Sequence, residues 1–433
     1  MTQSKPVVLI IGGGFAGLAA AKSLKNAPVD VVLIDRTNHH LFQPLLYQVA
    51  TSVLSPGQIA SPLRAILAKQ RNATVLMGEV TGVDKEKKLV FADGVDRVRV
   101  PIPYDYLIVA TGATHSYFGH NEFEEHAPGL KNLADAVAVR NKVLRAFEQA
   151  EAEEDPKLHQ DLLTFVLVGG GPAGVEMAGA IAVMIRNSLR TEFRRIDPTS
   201  ARIVLVDRSD RLLKVFHEHL SAAAKARLDR LGVEVRLGQG VDEIDGGGVV
   251  VQGQRITAKT IIWTAGVAPS PAGHWLNAKM DRSGRVLIEK DLTIPGNPEV
   301  FVVGDTAALD QDGKPLGGVA QVAMQQGRYA ATTIHNRVTG KQAPGPFRYF
   351  DKGMMAVVGQ GFAVLESGKV RVKGLPALMA WAVVHVLSLA QPGLRISVFL
   401  EWMWLYFTNQ RGSRLIVDHY ASPAKRTASI GRV

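Results

Sequence analysis

Residues 8–17 read VLIIGGGFAG, and residues 166–174 read VLVGGGPAG. Each is an apolar strand run followed by Gly-x-Gly-x-x-Gly, with Gly12, Gly14 and Gly17 in the first copy and Gly169, Gly171 and Gly174 in the second. The pattern holds a pyrophosphate because backbone N–H groups at a helix start, at the positive end of its dipole, face the phosphates. A side chain at the glycine positions blocks that approach. One triplet is a weak signal. Two in one chain imply two dinucleotides on one polypeptide, an arrangement suited to passing electrons between them.

The surroundings repeat too. After Gly17, LAAAKSLK reads as helix, VDVVLIDR as a strand ending at Asp35, and NATVLMGEVTGVD as a strand pair. LVFADGVDRVRV follows as a hairpin and YDYLIVATGA as a strand ending in a small-residue turn. The second half copies the order with VEMAGAIAVMIRNSLRTEFRRI (helix), ARIVLVDR (strand ending at Asp207), VEVRLGQGVDEID, GGVVVQGQRI and KTIIWTAGVA. Strand–helix–strand runs with β-branched strands predict parallel sheets covered by helices, an α/β chain with two Rossmann-like domains. VFVVGD at 300–305 reads as the strand that completes the first domain, so the second is an insertion. The expected division is 1–115 and 269–335 for the first unit, 116–268 for the second, and 336–433 for a C-terminal domain. The polar helical stretch Val137–Asp161, with Glu151, Glu153, Glu154 and Asp155, reads as a solvated connector.

At 433 residues the chain has room for two or three domains. It has no Cys. That excludes disulfides, Cys-ligated metals and a Cys-x-x-Cys redox pair, and with them disulfide reductases and cysteine-dependent sulfide oxidases. No metal site is expected. The net charge is +10, and the tail is basic: Lys369, Arg371, Lys373, Arg395, Arg411, Arg414, Lys425, Arg426 and Arg432 face only Glu366, Glu401 and Asp418. The N-terminus MTQSKPVV runs straight into the first strand, so no signal or transit peptide is expected.

The tail pairs LPALMAWAVVHVLSLA (375–390) with LRISVFLEWMWLYFTNQRG (394–412), separated by QPG. A membrane-spanning helix needs about 20 apolar residues, which neither piece supplies. Buried core or dimer helices are one reading. Trp402, Trp404 and Tyr406 beside Arg395, Arg411 and Arg414 fit helices lying in a membrane interface better. Such an apolar surface has no use on nucleic acid.

Single residues carry further expectations. Asp35 and Asp207 end equivalent strands, where an acid accepts hydrogen bonds from ribose hydroxyls. Asp207 favours NADH by repelling a 2′-phosphate, while Arg208 next to it attracts one. Glu176, two residues past Gly174, either complements the helix dipole or orients a nicotinamide and handles a proton. Gln321 and Gln325 are i, i+4 and share a helix face. They read as surface glutamines or as two amides for the oxygens of a flat acceptor.

The chain resembles the type II NADH dehydrogenases, single-subunit, non-proton-pumping NADH:quinone oxidoreductases. VLIIGGGFAGL, RTNHHLFQPLLYQVATSVLSP (36–56), YDYLIVATGA, VLVGGGPAGVEMAG and FRRIDPTSARIVLVDR carry the resemblance, continued by TIIWTAGV, VFVVGD, GVAQVAMQQG and EWMWLYFTNQRGSRLI. It implies two nucleotide domains arranged as in glutathione reductase plus amphipathic membrane-anchoring helices at 375–415, on the cytoplasmic face of a bacterial inner membrane. It implies bound FAD contacted by Gly12, Gly14, Phe15, Ala16, Gly17, Asp35, Arg36, Gln48, Ala110, Thr111, Gly112, Gly304, Asp305, Ala320 and Gln321. NADH, as substrate, then meets Gly169, Gly171, Ala173, Gly174, Glu176, Asp207, Ala265 and Gly266. Glu176, Gln321 and Gln325 are the implied catalytic set, and a quinone (ubiquinone or menaquinone) is the implied acceptor. The family often carries Glu where this chain has Asp207. Lys352 and Lys373 receive no role. Two other uses fit a doubled fingerprint: a soluble reductase of a ferredoxin-like protein, and a flavin-bearing protein of the apoptosis-inducing-factor type.

Overall fold

The computed structural model describes residues 5–417. The tail residues Asp418, Lys425, Arg426 and Arg432 lie outside the described residues, as do Met1 to Ser4.

The apolar run before Gly12 is β1 (Val7–Ile11), and the small residues after Gly14 form α1 (Phe15–Ser23), which leads to β2 (Asp30–Asp35). Then come β3 (Ala73–Asp84), β4 (Leu89–Gly94), β5 (Val100–Pro103) and β6 (Tyr106–Val109). A long helix α2 (Leu133–Ala152) precedes β7 (Thr164–Val168), α3 (Pro172–Val183), β8 (Arg202–Asp207), β9 (Val233–Leu237) and β10 (Thr260–Trp263). The chain then runs through β11 (Asn297–Val302) into α4 (Ala320–Val338). The order across the larger sheet is Thr293–Ile294, β11, β6, β1, β2, β3, β4, β5. The second sheet runs β9-β8-β7-β10, all parallel. Since β11 pairs in parallel with β6, the chain returns to its first sheet after building the second.

Three sequence expectations change. NATVLMGEVTGVD is one twelve-residue strand, not a pair. Its first half pairs in parallel with β2 and its second half antiparallel with β4, so it serves two neighbours in turn. Gly78 sits inside the strand, where a Cβ would come within 2.8 Å of the Asp93 carbonyl oxygen. The second copy does break, at Gly238 (φ +69°), giving β9 and a separate strand Val241–Asp245. The helix after Gly174 leaves α-geometry at Met184–Leu189, a π-helical turn, and stops short of the expected end.

The expected solvated connector is the third correction. The helix α2 buries Ala136, Val139, Val143 and Phe147, and Phe147 stacks on Phe165 of β7 with centroids 5.5 Å apart. Apolar residues recur along one face of this helix and bind it to the sheet. At its polar end the Glu151 carboxylate accepts backbone N–H groups of Arg194, Arg195 and Ile196.

The C-terminal part is a three-stranded antiparallel sheet, β12 (Met354–Val357), β13 (Ala363–Ser367) and β14 (Val370–Gly374), followed by α5 (Leu375–Ser388) and α6 (Pro392–Thr408). Pro392 starts α6 at a position where its missing N–H is harmless. Asn409 in the left-handed region (φ 57°) ends it. Ala377, Trp381, Leu389 and Val398 are buried in the same core cluster as residues 46–54, α2 and α3. The tail is therefore built into the second unit's core and is not a detachable appendage. Among the described residues no helix is long and apolar enough to cross a membrane.

Candidate active site

The two fingerprints have the same geometry, glycine by glycine. Gly12 (φ +101°) and Gly169 (φ +118°) take the positive φ that lets the chain turn out of the strand. A Cβ on either would strike the backbone of the opposite turn, Ala110 in one copy and Ala265 in the other. A Cβ on Gly17 or Gly174 would run into the carbonyl oxygen of Gly12 or Gly169. Those two glycines allow close packing of helix on strand. The middle pair differs: among the described residues a Cβ on Gly14 or Gly171 meets nothing within 4 Å. Both are the N-cap residues of their helices, α1 and α3. Each copy thus has an open approach at a helix N-terminus, the place a pyrophosphate needs.

The strand-end acids close each loop. Asp35 accepts the Gly13 N–H at 2.6 Å and the Thr37 N–H and hydroxyl at 2.7 Å. Asp207 accepts the Gly170 N–H and the Ser209 N–H. Arg36 is exposed beside the first. Thr111 ties its turn to Ser270 and Thr306 through hydroxyls at 2.5 and 3.1 Å, and Thr306 bonds the Gly112 carbonyl. Asp305 faces Lys131 at 3.9 Å. Gly304 N–H donates to Gln326 at 2.6 Å, and a Cβ on Gly327 would strike the Ala16 carbonyl, so α4 packs tightly on α1. Gln326 went unread in the sequence; its place beside Gln325 in MQQG, about 100° round the helix from it, was the signal, and it is buried.

Gln321 and Gln325 do project from one face of α4, but each already binds the 350–353 loop. Gln321 donates to the Gly353 carbonyl at 3.1 Å, and among the described residues its own buried carbonyl oxygen has no hydrogen bond. Gln325 donates to the Phe350 carbonyl at 2.9 Å and accepts the Phe350 N–H at 3.0 Å. Two free amides for a flat acceptor are therefore not what the fold presents. Gln325 clamps the 350 loop, and Gln321 offers an acceptor. Lys373 lies away from this loop, within 3.1 Å of His219.

Glu176 lies beyond the first turn of α3, not within it. Its Oε1 accepts the Val357 N–H of β12 at 3.3 Å. Burial pushes the carboxyl up to about 8, opposed by that N–H. A carboxyl neutral at pH 7 adds nothing to a helix dipole, which leaves hydrogen bonding and proton handling. Near it lies the short helix Leu46–Ala50. Gln48 is buried and engaged at both ends of its amide, donating to the Tyr47 hydroxyl at 3.1 Å and accepting the Trp402 indole N–H at 2.7 Å. The buried Arg411 guanidinium donates to the carbonyls of Thr51 and Ala180, linking the tail to this helix and to α3. Tyr47, Trp402 and Arg411 were not singled out as site residues from sequence.

A family model described as pyridine nucleotide-disulphide oxidoreductase matches residues 6–327. The type II NADH:quinone oxidoreductase Ndh of Mycobacterium tuberculosis is 44% identical, over 98% of this chain and 93% of its own length. The chain belongs to the type II NADH:quinone oxidoreductases. NdhA of the same organism is 43% identical over 95% of this chain and 89% of its own. NDH2 from Plasmodium falciparum, solved in complex with NADH, shares the fold with a TM-score of 0.87 at 20% identity, covering 96% of this chain and 100% of that one. As a Cys-free type II NADH:quinone oxidoreductase, this chain lacks the dithiol that the wider family's description refers to.

In this type II oxidoreductase the raised carboxyl of Glu176 has a testable sign. The folded chain holds its proton up to about 8 and the unfolded chain only to about 4.5, so stability is lost as pH climbs between those values. Glu176→Gln removes that loss. It is expected to gain a few degrees in melting temperature over wild type at pH 9 and nothing at pH 5, and to lose any alkaline fall in turnover near pH 8. Thermal scans and pH–rate profiles check both. Superimposable profiles would return Glu176 to a purely structural place.

Proposed function

We propose that this chain oxidises NADH and reduces a membrane quinone, with FAD as the resident two-electron carrier and no proton pumping. The doubled cradle carries the reading: Gly14 and Gly171 both leave an open approach at a helix N-terminus. Residues 1–115 and 269–335 form the FAD unit, 116–268 the NADH unit and 336–433 the membrane-association domain. When bound, FAD accepts hydride from NADH and hands two electrons to the quinone. The protein's own part is binding, orientation and proton control. The N–H groups around Gly12–Gly17 hold one pyrophosphate, with Asp35 on the adjoining ribose. Ala110–Gly112, Gly304, Asp305 and Ala320 line the same unit. Gly169–Gly174 and Asp207 hold NADH, with Ala265 and Gly266 on the facing turn, and the Asp207 carboxylate disfavours a 2′-phosphate. Glu176 presents a neutral carboxyl beside the nicotinamide. Gln321 offers its carbonyl oxygen on the acceptor side, where Gln325 holds the Phe350 loop.

The exposed face of α5 and α6 supports attachment to a membrane surface. Met379, Val383, Leu387, Ile396, Phe399, Trp404 and Phe407 are all more than half exposed. Helices of 14 and 17 residues suit an interface and not a span. The proposed location is the cytoplasmic face of a bacterial inner membrane, within an electron-transport chain. The relatives favour this reading over a ferredoxin-like reductase or an apoptosis-inducing-factor-type protein.

Anaerobic stopped flow tests it. NADH is expected to bleach the bound flavin within the turnover time, and a short-chain ubiquinone is expected to restore the oxidised spectrum. Failure of quinone to restore it would sink the assignment.

A further inference from the structure

Three side chains between the tail and the nucleotide units form a hydrogen-bond chain with one possible direction. The Trp402 indole nitrogen can only donate, and it gives its proton to Gln48 Oε1 at 2.7 Å. That contact fixes which end of the amide is which. The Gln48 NH2 group must then face Tyr47, and it donates to the Tyr47 hydroxyl oxygen at 3.1 Å. Tyr47 is only 6% exposed. Its oxygen is thus committed as an acceptor, and among the described residues its own proton has no acceptor. A buried hydroxyl held with its donor unused is costly, which marks the place where a ligand oxygen belongs.

The surroundings say which ligand. Burial first, and the nearby Glu176 carboxyl second, push the Tyr47 phenol well above its ordinary range, so it stays a donor. The chain begins on α6, which carries the exposed Met403, Trp404 and Phe407. On the buried side, Trp402 lies against Trp381, centroids 5.0 Å apart. The donor is thus held in place by a residue of the helix whose outer face is apolar, the side of the molecule suited to a lipid-soluble carbonyl compound, whereas a nicotinamide belongs with the Gly171 cradle.

Resting on the quinone-reductase reading above, we propose that the Tyr47 hydroxyl donates a hydrogen bond to a carbonyl oxygen of the bound quinone. Gln48 and Trp402 are positioning residues that keep the donor aimed. The hydrogen bond strengthens as negative charge builds on that oxygen during reduction, which is when a donor is worth most.

The test uses the flavin-loaded enzyme and a short-chain ubiquinone. Tyr47→Phe keeps the ring and removes only the hydroxyl. Bleaching by NADH is expected to stay within twofold of wild type, while reoxidation by quinone slows about tenfold. Calorimetry on the oxidised enzyme is expected to show quinone binding weakened about tenfold. Trp402→Phe frees the Gln48 amide to turn over and accept from Tyr47, so it is expected to share the defect. The double variant is expected to be no slower than Tyr47→Phe alone, because both act on one hydrogen bond. Tyr47→Phe with slowed bleaching by NADH, or with unchanged quinone affinity and reoxidation, overturns the inference. Additive defects in the double variant overturn the positioning role of Trp402. A wild-type enzyme that quinone does not reoxidise overturns the reading on which the inference rests, and the inference with it.

Discussion

Gly14→Asp is expected to yield a folded protein without flavin, and Gly171→Asp a folded, flavin-bearing protein that NADH cannot reduce. Both positions have room, since a Cβ there meets nothing within 4 Å. Both are helix N-caps in extended conformation (φ −70° and −73°), where Asp is among the preferred residues. Folding therefore has no reason to suffer. The new carboxylate stands where a pyrophosphate must come. At about 4 Å and an effective dielectric of about 20 the repulsion is about 4 kcal/mol, on the order of a thousandfold in affinity. Flavin absorbance of the purified protein reads the first variant, and NADH titration of flavin bleaching reads the second. Stoichiometric flavin in Gly14→Asp, or wild-type NADH affinity in Gly171→Asp, would refute the assignment of the two cradles. Gly17→Ala is the contrasting control. Its Cβ collides with the Gly12 carbonyl, so it damages the fold before it affects any ligand.

Membrane attachment is expected to fail when the apolar face is charged. Leu387, Phe399 and Phe407 are 60%, 52% and 73% exposed, so replacing all three with Glu removes no core contact. Each large apolar side chain that enters an apolar phase contributes about 1.5–3 kcal/mol. Losing three weakens attachment by on the order of a thousandfold or more. Co-sedimentation with vesicles containing anionic lipid is the measurement, with activity toward a short-chain quinone expected to persist. If the variant still sediments with vesicles but a wild-type dimer becomes a monomer, the face joins two copies and does not meet lipid. Deleting the tail is a poorer experiment. Arg411, Trp402 and Val398 hold residues 48–51 and α3 together, so truncation disturbs the nucleotide units as well.

Much of this was legible because local backbone constraints are written locally. A positive φ at Gly12, a helix start two residues later and an acid at the next strand end lie within one βαβ unit, and each imposes its residue type regardless of the rest of the chain. Repetition of that unit made the second copy readable by comparison with the first. The long strand Ala73–Asp84 was misread because a glycine such as Gly78 looks the same in sequence whether it makes a turn or a close approach, and only the neighbouring strand distinguishes the two. The role of α2 was misread for a similar reason. Its polar end dominated the reading, while its apolar face acquired meaning only from the sheet it covers.

By itself, the sequence determined the number of nucleotide sites, their glycine geometry, the absence of thiol chemistry and the apolar, basic character of the tail. Tertiary structure decided what the polar side chains are available for. Gln325 and Gln48 are engaged by partners, Glu176 is held neutral by burial, and the Tyr47 proton is left without an acceptor among the described residues. Those outcomes depend on contacts such as Trp402 with Gln48, separated by 354 positions in the chain. Hydrogen bonding and desolvation act through space at about 3 Å, and no spacing pattern along a chain encodes which distant groups will meet.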